Sequence, residues 1–580
     1  MEIISGLWFY VVYSLFGVVG YGLTIRIFSN NLTAYLSAKI VGLILFGYLI
    51  WLSASVHVLN FQNHGTVTLL FALACGASLW SVYQYRTEQQ EEHKTADKKP
   101  RAQKSWFERI IFWELMSLAL YALYLYLRSH NAAINGTERF MDMAFLVASG
   151  KTEFFPPIDP WYAGKTINYY YFGSYLMSLV TNLSQLPYSF GYTAALGLIF
   201  SQSFILSAGL VYSTIKSKAA SLWTGFMLTA AGTIYFAGCS LKGALAGLSP
   251  VCSYASSTRL YTPSYIINEI PSYSFTVGDL HAHLLALPLF LCLLYIVFAV
   301  CKNRTLTPST FLVASVGGAV LAMTNAWDAV TYFSLLLVLL TVHLYTMYRQ
   351  TEPMRARIRL SMQYVSIIVA SLILTIPFSI HFQSPVLGIG IAPLYAKAHQ
   401  LMNIQYPTPL LALLGMWGAL ILISILSYRA QKKITVSVFA LTLATVSAGI
   451  IIGVEIFFIK DIYSIANPPY FRANTTFKFG YHAWSMLTIL AGLLTGGLLI
   501  RASSAHKRSL RTAVFATMLL IAGAGLVYPY QAIKQFYGYS TSQTLDGSTW
   551  IAQTHPDDYA TIQYINNTIS GRPVIIEAVG

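Results

Sequence analysis

Apolar runs of about twenty residues recur along most of this chain, and they restrict its fold more than any other feature. The hydrocarbon core of a bilayer holds no water to satisfy backbone N–H and C=O groups, so each run that crosses it must be a helix. The runs fall at 7–28, 36–59, 66–85, 110–127, 192–212, 222–239, 284–300, 311–323, 329–348, 360–381, 410–428, 436–458, 484–500 and 513–528. They predict an all-α polytopic membrane protein with about fourteen transmembrane helices and both termini outside. Charged residues are 10% of the chain, against roughly 25% in a soluble protein. The net charge of +15 does not point to nucleic acid: Lys and Arg gather in short connections between apolar runs, and no periodic basic-aromatic groove accompanies them. The first run follows Glu2 rather than a basic stretch and has no small-residue cleavage site, so it reads as a retained helix.

One segment decides the topology. If the tyrosine-rich stretch 168–186 spans, the Lys216/Lys218 connection lies outside and every later basic loop inverts with it. If it is interfacial or re-entrant, the basic connections at 216–218, 302–304, 349–359, 429–433 and 501–511 all lie inside. Tyr-rich amphipathic segments favour the interface, and five loops agree, so the stretch is expected not to span. Residues 129–167, 240–283, 460–480 and 531–580 are then outside, and 86–109 inside.

Residues 1–85 read as an accessory three-helix unit and 86–109, with EQQEEHKTADKKPRAQK, as a charged cytoplasmic linker. Residues 110–530 form the transmembrane core with its outer loops. In 531–580 a helix-like stretch, 557–569, precedes the strand-like PVIIEAV, which predicts the start of a soluble α/β unit. Cys239 and Cys252 flank one polar loop and are expected to pair if that loop is extracytoplasmic. Cys75, Cys292 and Cys301 lie in or at the ends of apolar runs, where packing accounts for them.

Four polar clusters fall on the outer face in this topology. The first is NGTERFMDMAFLVASGKTEFFPPIDPWYAGKTINYYYFGSYL, starting at Asn135. Glu138 and Asp142 are four apart in a helical run and share a face. They are either a solvated helix start or a carboxylate pair for acid–base work. Asp159 is a groove residue and a weaker candidate for the base, since Pro160 and the preceding Pro-Pro pair suggest that it shapes the loop through an Asx-type bond. Tyr169, Tyr170 and Tyr171 are either an interfacial belt or groove residues. The second cluster, GDLHAHLLALP, alternates Asp279, His281 and His283. One carboxylate with two imidazoles is a common divalent-metal set, Mg or Mn here; the alternative is a helix cap at the headgroups. The third, TNAWDA, breaks two apolar runs with Asn325 and Asp328, as an interfacial turn or a groove element. The fourth, FRANTTFKF, sets Arg472, Asn474 and Lys478 near the start of a span, as a phosphate clamp or as headgroup-level snorkelling.

The run ERFMDMAFL with FFPPIDPWYAGKTINYYYFGSYL, followed by GDLHAHLLALP, TNAWD, FRANTTFKF and the tail LDG, THPDDYATIQYI and GRPVIIEAVG, resembles a family of uncharacterised prokaryotic membrane proteins named for their Tyr-Tyr-Tyr signature. The resemblance covers roughly 108–580 and implies a C-terminal unit that continues past 580. That family is in turn similar to the C-type (GT-C fold) membrane glycosyltransferases, which transfer sugar from polyprenyl-phosphate donors and carry an acidic first outer loop. Carried over by motif, Glu138 or Asp142 is the acid of that loop. Asp279, with His281 and His283, takes the place of a second acidic motif, where carboxylates are usual.

The function expected on these grounds is a lipid-phosphate-sugar-dependent glycosyltransferase of the plasma membrane, with its active face extracytoplasmic. Asp142, ahead of Glu138, takes the acceptor proton, and Arg472 and Lys478 hold the donor phosphate. Its partners are membrane lipid, a polyprenyl-phosphate sugar and a glycan, lipid or protein acceptor. A transporter or lipid flippase, or a non-catalytic envelope assembly protein, is the alternative. Clustering of polar residues at one face, without an inverted hydropathy repeat, disfavours transport.

Overall fold

The computed structural model describes every residue except 1, 29, 96–103, 246–251, 260–264, 304–305, 403–405, 431–437, 502–504, 539–542, 572 and 577–580. Among the described residues twelve helices are long and apolar enough to cross a membrane. A bent pair, Lys218–Thr229 and Ile234–Leu245, meets at 71° and makes a thirteenth candidate. Pro308–Thr324 has 17 residues and stands where the remaining expected span lies. At 1.5 Å per residue it is about 26 Å long, near the roughly 30 Å of a hydrocarbon core. The chain is an all-α polytopic membrane protein, as its hydropathy requires. The sheet content among the described residues is one antiparallel pair of four-residue strands, Gly388–Ile391 and Phe457–Lys460, with Gly388 opposite Lys460.

Three helices form the middle of the bundle: Tyr188–Ile215, Ala282–Asn303 and Ala473–Arg501 are buried along almost their whole apolar length. The helix Asn31–Ser55 joins them, packing on Pro308–Thr324, Ala282–Asn303 and Tyr188–Ile215. It is also held close to Glu2–Ile27 at two glycines. A Cβ on Gly42 would lie 1.9 Å from the Phe16 carbonyl oxygen, and one on Gly20 2.0 Å from that of Ala38. Small residues at such a crossing let two backbones approach in lipid, where van der Waals contact drives association. Lys39 of the same helix pairs with both carboxylate oxygens of Glu114, at 2.7 and 2.8 Å, and Tyr10 and Tyr35 donate to that carboxylate. The second helix is therefore part of the core rather than of an accessory unit. His64–Thr95, with far fewer buried residues, is the peripheral one of the first three.

Residues from distant parts of the chain meet at one end of the bundle. The Glu2 carboxylate accepts from Thr544 Oγ1 and the Leu545 N–H, at 2.9 and 2.8 Å. Ile134 N donates to Gly547 O, and Phe61 N to Glu153 O. The stretch 168–186 has both ends here. Asn168 exchanges hydrogen bonds with the Gln383 backbone, Asn182 Nδ2 donates to Gly150 O, and Gly547 N donates to Ser189 O. Its helix, Phe172–Ser184, has 13 residues and is about 20 Å long, too short to cross. It enters and leaves at the same polar end.

Cys239 and Cys252 form a disulfide at this end. The linker expected at 86–109 is helical up to Thr95 and again from Lys104, and its middle lies outside the described residues. The tail folds into Thr549–Thr554 and Pro556–Thr568, but residues 573–576 of the expected strand are not in a ladder. A strand exists only by pairing, and no partner backbone lies beside them among the described residues.

Candidate functional site

The helix Arg139–Lys151 begins where GTER leaves a turn with positive φ at Gly136 and Thr137. Glu138 is its N-cap residue and Asp142 lies in its first turn, on the same face. Both carboxylates point at one atom. His281 Nδ1 is 2.6 Å from Glu138 Oε2 and 3.7 Å from Asp142 Oδ1. The far side of the ring, Nε2, is 3.0 Å from the Tyr169 hydroxyl. Asp142 is buried and its Oδ2 has no hydrogen-bond partner among the described residues, whereas Glu138 keeps most of its side chain in solvent.

Position follows from a tight turn before the helix Ala282–Asn303. The short helix Pro271–Val277 ends at Gly278, whose φ of +69° is a left-handed conformation. A Cβ there would also lie 2.8 Å from Arg128 Nη1. Buried tyrosines hold this turn: Tyr192 OH donates to Gly278 O and accepts from Leu280 N, while Tyr124 and Tyr537 donate to the carbonyls of Phe275 and Thr276. Beyond Gly278 the backbone is not helical until Ala282, and the three motif side chains diverge.

Asp279 accepts from Thr137 Oγ1 at 2.6 Å and from Arg139 Nε at 3.3 Å. His281 faces the two carboxylates. His283 Nδ1 is 3.3 Å from Lys478 Nζ, and its Nε2 is 3.3 Å from Ser274 Oγ and 3.6 Å from Glu269 Oε2. A charged Lys478 can only donate, which makes His283 Nδ1 the acceptor and puts the ring proton on Nε2, toward Ser274 and Glu269. The three residues expected as a divalent-metal set thus face different partners in this structure: Asp279 faces Arg139, His281 the two carboxylates and His283 Lys478. No group of three or more His, Cys, Asp or Glu among the described residues has metal-holding geometry.

The expected phosphate clamp is also divided. Lys478 joins the site, but Arg472 is buried in a separate pair, 2.8 Å from Glu455 Oε2 and 2.9 Å from Thr408 Oγ1. Asn474 donates to Asp461 Oδ2 at 2.8 Å. Both serve the loops around the two-stranded sheet. Asn325 donates to Asp328, and Asp328 Oδ2 lies 3.4 Å from His482 Nε2, one turn below Lys478 on the same helix. Asp159 closes an Asx turn, accepting from the N–H groups of Trp161 and Tyr162 at 2.8 and 2.9 Å. The tyrosine triplet splits three ways. Tyr169 reaches His281, Tyr170 packs on Phe382, and Tyr171 is buried, accepting from Trp51 Nε1.

Burial and the Lys478 charge oppose protonation of His281, but the Asp142 and Glu138 carboxylates outweigh them and raise it to about 9. The His281 ring beside it holds Glu138 below the usual carboxylate range, against partial burial. Burial pushes Asp142 up to about 6 in spite of His281. Near neutral pH the arrangement is an imidazolium between an ionised Glu138 and an Asp142 that titrates close to working pH, the range suited to a general base. Burial likewise raises Glu269 to about 7, moderated by Lys478.

Sequence patterns did not single out Arg139, Thr137 or Glu269. Glu269 had a signal: it is the one acid between Asp159 and Asp279. Arg139, adjacent to Glu138, had none beyond its place in the motif.

A family model described as "Uncharacterized membrane protein (DUF2298)" matches residues 45–434 and 408–487, in agreement with the tyrosine signature. No curated protein matches the chain. Among solved structures, the archaeal oligosaccharyltransferase AglB from Archaeoglobus fulgidus, in complex with an inhibitory peptide and a dolichol-phosphate, is similar at a TM-score of 0.34 and 14% identity. The likeness covers 79% of this chain and 60% of that one, so the chain spans about three-fifths of that enzyme's length.

Proposed function

The chain belongs to the DUF2298 family of membrane proteins, and from that premise we propose that its polar end is the active site of a glycosyltransferase using a polyprenyl-phosphate-linked sugar. The observation that carries this reading is the convergence of Glu138 and Asp142 on His281, with the Lys478 ammonium buried beside His283. A base for an acceptor hydroxyl and a cation for a departing phosphate are the two groups that such a transfer needs.

In the proposed step, Asp142, or Glu138, takes the proton of the acceptor hydroxyl. The acceptor oxygen bonds to the anomeric carbon of the sugar, and the bond from that carbon to the donor phosphate oxygen breaks. Its electron pair leaves with the polyprenyl phosphate, whose new charge Lys478 offsets. His281 keeps the two carboxylates from repelling each other and fixes their direction. Asp279, held by Arg139 and Thr137, anchors the helix start to the 278–283 turn. Nothing is routed through a metal. The face is the extracytoplasmic side of the plasma membrane, on the grounds that the basic connections gather at the opposite end.

The test is transfer by the purified protein from labelled polyprenyl-phosphate sugars to soluble oligosaccharide, lipid and peptide acceptors. Label that moves to an acceptor and is lost in Asp142→Asn supports the reading. Translocation of the intact donor across vesicles without transfer overturns it in favour of a flippase. Binding of neither donor nor acceptor overturns it in favour of an assembly role.

A further inference from the structure

A second candidate site lies at the other end of the bundle, away from the carboxylates. The helices Ala326–Arg349 and Met354–Leu374 are joined there by a short turn, and a cavity of about 510 Å³ opens beside it. Arg355, Arg359, Glu352 and Gln363 line it, above an apolar floor that includes Met347 and Leu360. Arg355 and Arg359 are one helical turn apart and share a face. The intervening Arg357 turns the other way and lies over the Tyr348 ring, 5.8 Å from its centroid. Among the described residues the cavity thus receives two guanidinium forks and one carboxylate, that of Glu352. Its size falls in the range of small-molecule sites, roughly 300–1,000 Å³.

We infer that this cavity binds the phosphate headgroup of an anionic phospholipid of the inner leaflet. Guanidinium groups match phosphate oxygens in paired hydrogen bonds and carry their charge at all working pH. A lipid rather than a soluble phosphate fits because the cavity adjoins surface made for acyl chains. Met354, Ile358 and Met362, on the same helix, are 61%, 50% and 64% exposed, and Val365 and Val369 continue that apolar surface along the span. The floor of Met347 and Leu360 is buried, so it suits the glycerol and first methylenes rather than a hydrated ion. Basic pockets between helices on the inner side are where anionic headgroups are held. The inference does not depend on the chemistry proposed for the other end.

Photoreactive phosphatidylglycerol and phosphatidylcholine, each incorporated into nanodiscs with the full chain, test it. Adducts are mapped by peptide, and retained lipid is counted by native mass spectrometry. The expected result is phosphatidylglycerol adducts within 347–363 and at least tenfold weaker retention in Arg355→Gln/Arg359→Gln, with Arg355→Lys/Arg359→Lys intermediate. Lys216→Gln, another basic position of the inner end, should leave retention unchanged. Equal labelling by phosphatidylcholine, adducts confined to other segments, or full retention in the Gln variant would overturn the site. Competition by glycerol phosphate at equal concentration would overturn the lipid and leave a soluble phosphate as its ligand. The wild-type adduct map needs no variant, so a Gln variant that fails to fold does not decide the result.

Discussion

His281 Nδ1 lies 2.6 Å from Glu138 Oε2, across 143 positions of sequence. The pair holds a cation against a carboxylate whose neighbour, Asp142, is buried and titrates near 6. The transfer rate should accordingly be bell-shaped in pH. It rises as Asp142 loses its proton near 6 and falls as His281 loses its own near 9. Initial rates between pH 4.5 and 10 check this, and His281→Gln should remove the alkaline limb. A rate flat across pH 5 to 7 would take Asp142 out of the role of base.

Replacing a carboxylate by its amide keeps the shape and removes the proton acceptor. Asp142→Asn should lower turnover by roughly 10²–10⁴ with donor binding little changed, and Glu138→Gln should lower it less. Normal rates in both variants would remove catalysis from the helix Arg139–Lys151.

Stability should fall as pH rises, in two windows: Asp142 and Glu269 share the lower, Asp142 with a folded value of about 6 against an ordinary 3.8, and His281 sets the upper. Glu269 has a folded value of about 7 against an ordinary 4.5, so folding binds its proton between those values and that stabilisation is lost by pH 7. His281 has a folded value of about 9 against 6.5, so its contribution is complete below 6.5 and lost as pH rises through 9. Each shift corresponds to on the order of 3 kcal/mol. Thermal unfolding followed from pH 4.5 to 9.5 reads this directly. Glu269→Gln should make the lower window shallower, leaving the part due to Asp142, and His281→Gln should flatten the upper.

Arg472 should behave as a structural residue. Its guanidinium is buried against Glu455 and Thr408, so Arg472→Met leaves a poorly solvated carboxylate and should destabilise the fold by about 3–5 kcal/mol. Arg472→Met/Glu455→Met should recover part of that loss. A variant with unchanged melting temperature but weaker donor binding would return Arg472 to the phosphate clamp.

Gly278 is the hinge on which the histidine motif turns. Gly278→Ala adds a side chain in a left-handed conformation and sets its Cβ 2.8 Å from Arg128 Nη1. It should lower stability by about 1–3 kcal/mol and displace His281 from Glu138. An unshifted alkaline limb in the pH–rate profile would show that the turn tolerates it.

Lys478 and Arg472 show where reading residues in order stops. Six positions apart in one motif, they looked like one clamp. Only the start of the helix Ala473–Arg501 decides that Lys478 faces His283 while Arg472, just before that start, turns back to Glu455. In the same way, Asp279, His281 and His283 look like a ligand set in sequence. The left-handed Gly278 and the late helix start at Ala282 send them to Arg139, Glu138 and Lys478 instead.

What the sequence determined alone is what depends on local and solvent terms. Apolar length fixed the helical, membrane-spanning character, because unsatisfied backbone is excluded from lipid. The spacing of Glu138 and Asp142 placed them on one face, because helical geometry is periodic. The basic connections supported a non-spanning 168–186, whose helix does return to the polar end it left. What only the tertiary structure decided is which of these groups meet. The partners of Glu138, Asp279 and Lys478 lie more than a hundred residues away, and no local propensity encodes such a distance. They are brought together by helix packing and by the tyrosines that pin the turn at Gly278, where burial then sets the charge each group can hold.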